Sequence, residues 1–256
     1  MEYSAFGEGG QAGFLFRKSS AHVIIVPVLH ARMHGGRREV IMGKRGRRLT
    51  GCWIVLVLLV LACGCTQDGE QSALFRDDFE NPRSGWGADQ RERFERGYQD
   101  GEYLINLYGP RWFAWAHPGR KYGDVSVEVD AYLASGSQDN HFGVLCRHVD
   151  TGNFYYFAIS ADGCYAIFKR VDGGDLEVLT GDRIGMSPSP AIRTGGQTNH
   201  ILAACQGNEL SLYVNGELLE AVTDDTYTQG DVGIGAGSGP EGDVMVRFDN
   251  FLVSGP

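Results

Sequence analysis

Residues 209–222, ELSLYVNGELLEAV, decide the fold. Leu210, Leu212 and Val214 alternate with Glu209, Ser211 and Tyr213, the period of two of a strand with one face buried. Asn215-Gly216 follows, a pair that tolerates positive φ at both centres of a type I′ turn. The stretch is predicted to be a β-hairpin running from Glu209 to Val222, and its neighbours should extend it into a sheet.

The same alternation recurs on either side. Val125, Val127 and Val129 oppose Ser126, Glu128 and Asp130, while Val244, Val246 and Phe248 repeat the pattern near the C-terminus. Further strands are predicted at Tyr103 to Tyr108, Trp112 to Ala116, His141 to His148, Asn153 to Ser160, Cys164 to Val171, Leu176 to Thr180, His200 to Gln206 and Val232 to Ala236. Asp-Gly and Gly-Gly pairs beginning at 162, 172 and 173 punctuate them. From Leu74 onward no stretch keeps a helical period for three turns. So many short strands imply an all-β fold, an antiparallel sandwich of two packed sheets. Segment 181–199, GDRIGMSPSPAIRTGGQTN, reads as a long loop, and loops of this length are often functional. In NFYYFAIS, residues 153–160, Phe154 and Tyr156 share one face and Tyr155 and Phe157 the other, so one pair belongs in the core and the other can be open.

Upstream, Trp53 to Ala62 is an uncharged apolar run, WIVLVLLVLA, preceded by Lys44, Arg45, Arg47 and Arg48. It is shorter than the roughly 20 residues that a membrane-spanning helix needs, and it suits the apolar region of a signal peptide. Val60-Leu61-Ala62-Cys63 is similar to a bacterial lipobox, which makes Cys63 the expected lipidated N-terminus, with Cys65 as the alternative. A diacylglyceryl thioether plus an N-acyl chain would hold the protein at the outer face of the cell membrane. The predicted organisation is an extension at 1–41 with translation starting at Met42, a signal at 42–62, a lipidated cysteine and polar tether at 63–72, and a sandwich at 73–254.

Residues 66–256 carry 14 Lys plus Arg against 29 Asp plus Glu. Such an excess of negative charge repels phosphate backbones and excludes nucleic acid as an expected partner. It is compatible with neutral glycans, with bound cations or with a simple solubility role. Cys146, Cys164 and Cys205 lie in this region, so at most one pair can close there. In an exported chain the expected disulfide joins Cys146 to Cys205 on neighbouring strands, with Cys146–Cys164 as the alternative.

The series DDFENPRSGW, DVSVEVDAY, DNHFGVLCRHVDTGNFYYFAISADGCYAI, ELSLYVNGELL, GDVGIGAG and VRFDNFLV resembles the concanavalin A-like lectin and glucanase superfamily. More narrowly, it resembles the jelly-roll domains grouped with 3-keto-disaccharide hydrolases and laminin G-like modules. The resemblance covers about Leu74 to Val253 and implies a jelly roll. It leaves function open, because this superfamily contains hydrolases, lectins and structural modules. Its glucanases carry Glu-x-Asp-x-x-Glu, or a variant one residue longer, on a single strand. Here Glu128 and Asp130 begin that pattern, and Leu133 and Ala134 stand where the second Glu belongs. The pair therefore reads as solvent-facing strand residues, and no catalytic residue is assigned. His117, His141, His148 and His200 have no zinc-ligand or triad spacing.

Binding is the leading expectation, either to a polysaccharide or to an extracytoplasmic protein. Sugar rings stack on aromatic faces beside polar groups, and the candidates are Trp86, Trp112, Trp115, Tyr155 and Tyr213 with Asp139, Asn140 and Arg147. A structural calcium ion could sit among Asp77, Asp78, Asp249 and Asn250 if the first and last strands pair, since Ca²⁺ takes six to eight oxygens. Three or more carboxylates in one groove would favour a glycoside-directed hydrolase of the keto-disaccharide type. An exposed strip of Trp and Tyr would favour a lectin, and neither would leave a structural envelope domain.

Overall fold

The computed structural model describes residues 4–5 and 72–256. The lipobox, Cys63, Cys65 and the signal segment lie outside the described residues. Among those described, every regular element is a β-strand, and all the pairings are antiparallel. The first sheet runs in the order Ser4–Ala5, Trp112–Ala116, Gly230–Ser238, Asn140–Asp150, Asn153–Ile159, Cys164–Arg170 and Glu177–Val178. The second runs Glu217–Thr223, Glu209–Val214, Asn199–Gln206, Val125–Gly136, Val244–Ser254, Glu102–Leu107, Phe94–Gln99 and Asp89–Gln90. Ala73–Asp77 also pairs with Val244–Ser254, placing Asp77 opposite Phe251.

The decisive hairpin forms as its residues dictate: Glu209–Val214 pairs with Glu217–Thr223 across Asn215 and Gly216, whose φ angles are 53° and 85°. A second turn of this kind, Asp100-Gly101 with φ of 57° and 83°, joins Phe94–Gln99 to Glu102–Leu107. Strand Phe94–Gln99 was not among those expected. Its sequence, FERGYQ, hides the alternation because Arg96 takes an inward position, hydrogen-bonded to the Trp115 carbonyl, and Gly97 an outward one.

The core lies between the sheets. Val125, Val127, Val129 and Ala131 meet Phe142, Val144 and Cys146, with Tyr155, Phe157 and Ile159 beside them, all fully or nearly fully buried. Cys146 and Cys205 are bonded, as expected, with their Cα atoms 6.9 Å apart. Their placement differs from the expected neighbouring strands, because one cysteine belongs to each sheet and the bond crosses the core. Closing a loop of 59 residues removes unfolded-chain entropy equivalent to about 4 kcal/mol. Cys164 is free.

Segment 181–199 is pinned along its length. Ser187–Pro188 pairs with Cys164 and Tyr165, an edge position that proline tolerates, and Ile192 enters the core. The Asn199 amide donates to the Arg193 and Gln197 carbonyls, and that of Asn215 donates to the Ala191 carbonyl.

Candidate functional site

The outward faces of the two sheets differ in chemistry. On the first sheet Phe113, Trp115, Leu145, Phe154, Tyr156, Ala158, Ala166 and Phe168 form a second apolar cluster, against which Leu176, Val178 and Met186 pack. Phe113 stacks on Trp115 with centroids 5.4 Å apart, and Tyr156 on Phe168 at 5.8 Å. The sequence parity of NFYYFAIS is therefore right, with Tyr155 and Phe157 facing the inter-sheet core. The other pair is not open, since Phe154 and Tyr156 are 0% exposed. Desolvation holds His141 and His148 on this face down to about 4, so both are neutral at physiological pH.

The second sheet's outer face is polar and accessible. The central strand Val125–Gly136 turns Glu128, Asp130 and Tyr132 outward by simple alternation. The hairpin register brings His200 beside them: Asn215 accepts the His200 backbone N–H at 3.1 Å, and His200 stands opposite Asp130. Its Nε2 lies 3.1 Å from Glu128 Oε2 and its Nδ1 2.9 Å from Asp130 Oδ1. Holding both carboxylates requires both ring nitrogens to donate, so this geometry selects the imidazolium. The Glu128 hydrogen bond, opposed by partial desolvation and reinforced by Asp130, pushes His200 up to about 9.

A bulge at Asp249–Asn250, with Asn250 at φ 54°, aims the Asn250 amide at Asp130 Oδ2, 3.0 Å away. Desolvation raises the Asp249 carboxyl, with Glu102, Asp130 and Asp78 adding to the effect. Two residues along the central strand, the Tyr132 hydroxyl donates to Glu102 at 3.1 Å, and Arg247 donates to the same carboxylate at 2.9 Å. The result is four carboxylates, one imidazolium, one guanidinium and a half-buried tyrosine ring on one open face. These groups can accept from and donate to the hydroxyls of a polar ligand.

The expected binding residues do not converge. Trp86 is a core residue packed edge-on against Phe251, and its indole donates to Asp77 Oδ2 at 2.9 Å. Trp115 belongs to the closed face of the first sheet, and Trp112 packs against the core with Arg93 over its ring at 5.2 Å. Tyr155 lies inside, its hydroxyl donating to Asp224 at 2.5 Å. Arg147, 1% exposed, is a strut that donates to the Tyr227 carbonyl and to Asp124. The Asn140 side chain bridges the Ser137 carbonyl and the Ala161 N–H, and Asp139 sits in the adjoining turn, its carboxyl raised by desolvation and by Asp162. Tyr213 alone shares the open face, opposite Leu202, which is itself opposite Glu128.

The calcium set does not assemble either. The first and last strands pair, but Asp77 is occupied by Trp86 and the Phe79 N–H, Asp78 by the Glu80 N–H, and Asn250 turns to Asp130. Among the described residues no group of three or more His, Cys, Asp and Glu is placed to hold a metal ion. What the sequence reading missed, His200, Tyr132, Glu102 and Arg247, carries one signal in the chain: each is an outward member of an alternating strand.

No family model and no curated protein matches the sequence. Among solved structures, a protein of unknown function with a galectin-like fold from Bacillus subtilis has a TM-score of 0.53 at 12% identity, covering 72% of this chain and 97% of that one. The catalytic domain of an endo-1,3-beta-glucanase (laminarinase) from Thermotoga petrophila RKU-1 has a TM-score of 0.50 at 9% identity, covering 72% and 97%. The carbohydrate-binding module CBM66 from Bacillus subtilis has 0.45 at 17% identity, covering 67% and 92%. At such identities the likeness defines architecture: the chain has the galectin-like, concanavalin A-like jelly-roll fold.

Proposed function

We propose that this chain is a lipid-anchored extracytoplasmic module that binds a glycan across the outer face of its second sheet. The observation that carries the reading is the open row of Glu128, Asp130, His200, Asn250, Tyr132, Glu102 and Arg247, contrasted with the closed aromatic face of the first sheet. Paired acceptors and donors around half-buried tyrosine rings suit sugar hydroxyls and C–H faces. A glucan-cleaving catalytic domain among the structural neighbours supports the same ligand class.

A glycoside-directed hydrolase is the second reading, favoured by the four carboxylates on this face. Against it, Glu128 and Asp130 are tied to His200, and Glu102 to Arg247. Leu133 points into the core and Tyr132 occupies the next outward position after Asp130, so the strand lacks the closing carboxyl of the Glu-x-Asp-x-x-Glu pattern.

The test is binding of the detergent-solubilised chain to a panel of polysaccharides, with calcium and with chelator, while assaying released sugar. Binding that Tyr132→Ala weakens about tenfold without loss of fold supports the reading, tenfold being roughly 1.4 kcal/mol. Binding untouched by Tyr132→Ala and His200→Ala places the ligand elsewhere, and sugar release establishes the hydrolase.

A further inference from the structure

At the edge of the same face, beyond Arg247, the sheet carries a pocket of about 390 Å³. Leu104 and Met245 supply apolar lining, while Glu95, Gln99 and Asn106 supply polar groups. Gly97 lines it without a side chain: a Cβ there would lie 3.0 Å from the methyl of Ala88, its neighbour across the ladder that leads into the edge strand Asp89–Gln90. The pocket is continuous with the polar row. Gln99 accepts from Arg247 through its side-chain oxygen at 3.2 Å and its carbonyl at 3.3 Å. Met245 and Leu104 each lie two residues, and so one outward position, from Arg247 and Glu102. Tyr108, 41% exposed, adds a ring at the rim, its hydroxyl donating to Glu95 at 2.8 Å.

From this arrangement we infer that the pocket takes the terminal sugar of a neutral glycan, so that the protein recognises chain ends in preference to internal segments. The inference rests on the reading of this face as a glycan site. Three features carry it. The pocket combines apolar lining with polar groups, as a sugar's C–H face and hydroxyls require. It lies at the last strands of the sheet, with Ala88 lining its outer side, so a glycan lying across Tyr132 and Arg247 reaches the sheet edge there. Glu95 is the one carboxylate in its lining, the Arg96 guanidinium turns inward to the Trp115 carbonyl, and Glu102 offsets Arg247 beside it, so no unpaired cation is offered to a carboxylate or sulfate and neutral sugars are favoured.

The experiment uses linear neutral homoglycans (glucan, xylan, mannan and fructan), each as intact polymer and as oligosaccharides at equal mass. End recognition predicts that binding sites per unit mass rise in proportion to chain ends, about tenfold for a tenfold shortening. It also predicts that Asn106→Trp, which fills the pocket, weakens oligosaccharide binding about tenfold or more. Gln99→Ala is the second variant should Asn106→Trp not fold, and it is expected to act in the same direction. Site numbers that follow total mass, with both folded variants binding as wild type, overturn end recognition and leave the groove standing. Absence of binding to any glycan overturns both.

Discussion

His200 is the residue on which the open face depends, because a single imidazolium offsets two carboxylates drawn from a strand 70 positions away in sequence. Its raised value has a definite sign in stability. An unfolded histidine titrates near 6.5, so the contribution is complete below about that pH and fades as pH rises through about 9. Chemical denaturation of wild type and His200→Gln at a series of pH values should show a stability gap near pH 6.5 that narrows by pH 10; a gap independent of pH would refute the linkage. Asp224 behaves oppositely. Although partial burial pushes it up, hydrogen bonds from Lys169, Thr226 and Tyr155 hold it well below the usual carboxylate range. Its contribution is therefore present above about pH 4 and is lost as pH falls further. Asp224→Ala should cost about 2 to 4 kcal/mol at pH 7, since it strips a partner from Lys169 and from the buried Tyr155; a loss below 0.5 kcal/mol would show that the network is dispensable. At this scale the sequence was half legible. The outward direction of Glu128 and Asp130 follows from their valine neighbours, but His200 as their partner follows only from a strand pairing that alternation does not specify.

Strand Gly230–Ser238 shows how an element reconciles two apolar faces. Val232, Ile234 and Ala236 fill the inter-sheet core, while Gly233, Gly235 and Gly237 alternate with them on the aromatic side. Glycine is needed there for space, because a Cβ on Gly237 would lie 2.1 Å from the His141 ring and one on Gly235 3.0 Å from Phe113. The His141 ring cannot simply retreat: it packs against Phe113, Tyr156 and Phe168 and lies within hydrogen-bond distance of the Tyr156 hydroxyl at 3.2 Å. Gly237→Ala should therefore destabilise by about 1 to 3 kcal/mol, the usual cost of overpacking, measured as a lowered urea midpoint with an unchanged slope. An unshifted midpoint would mean that the aromatic face is loosely packed. The sequence showed the strand through Val232 to Ala236 but gave no reason for the glycines, whose cause lies in side chains from two other strands. The same limit explains the disulfide. Export and cysteine count allowed one bond, and the choice of Cys146 with Cys205 rested on expecting them on neighbouring strands, whereas their position on opposite sheets depended on where the chain crosses over.

On the scale of the whole molecule, the proposed address and two unequal faces have to work together. Among the described residues the first sheet's outer face is apolar and aromatic and the second's is polar and open, so the hydrogen-bonding partners for a ligand are concentrated on the second. A tether would serve that face by keeping it in the extracytoplasmic space, and the proposed tether is short, running from Cys63 to Ser72. The apolar run at Trp53 to Ala62 is too brief to span a bilayer, so the proposed anchor is the cysteine that follows it. Two or more acyl chains hold a protein stably where one does not. Intact-mass analysis of the chain extracted from membranes should therefore find residues 63–256 carrying a diacylglyceryl group and an N-acyl chain on Cys63, and Cys63→Ser should release the protein from the membrane fraction. A mature chain that retains residues 42–62 would refute the lipid anchor. Acylation at Cys65 would move the anchor two residues without altering its logic, because Cys63→Ser would then leave the protein on the membrane and Cys65→Ser would free it.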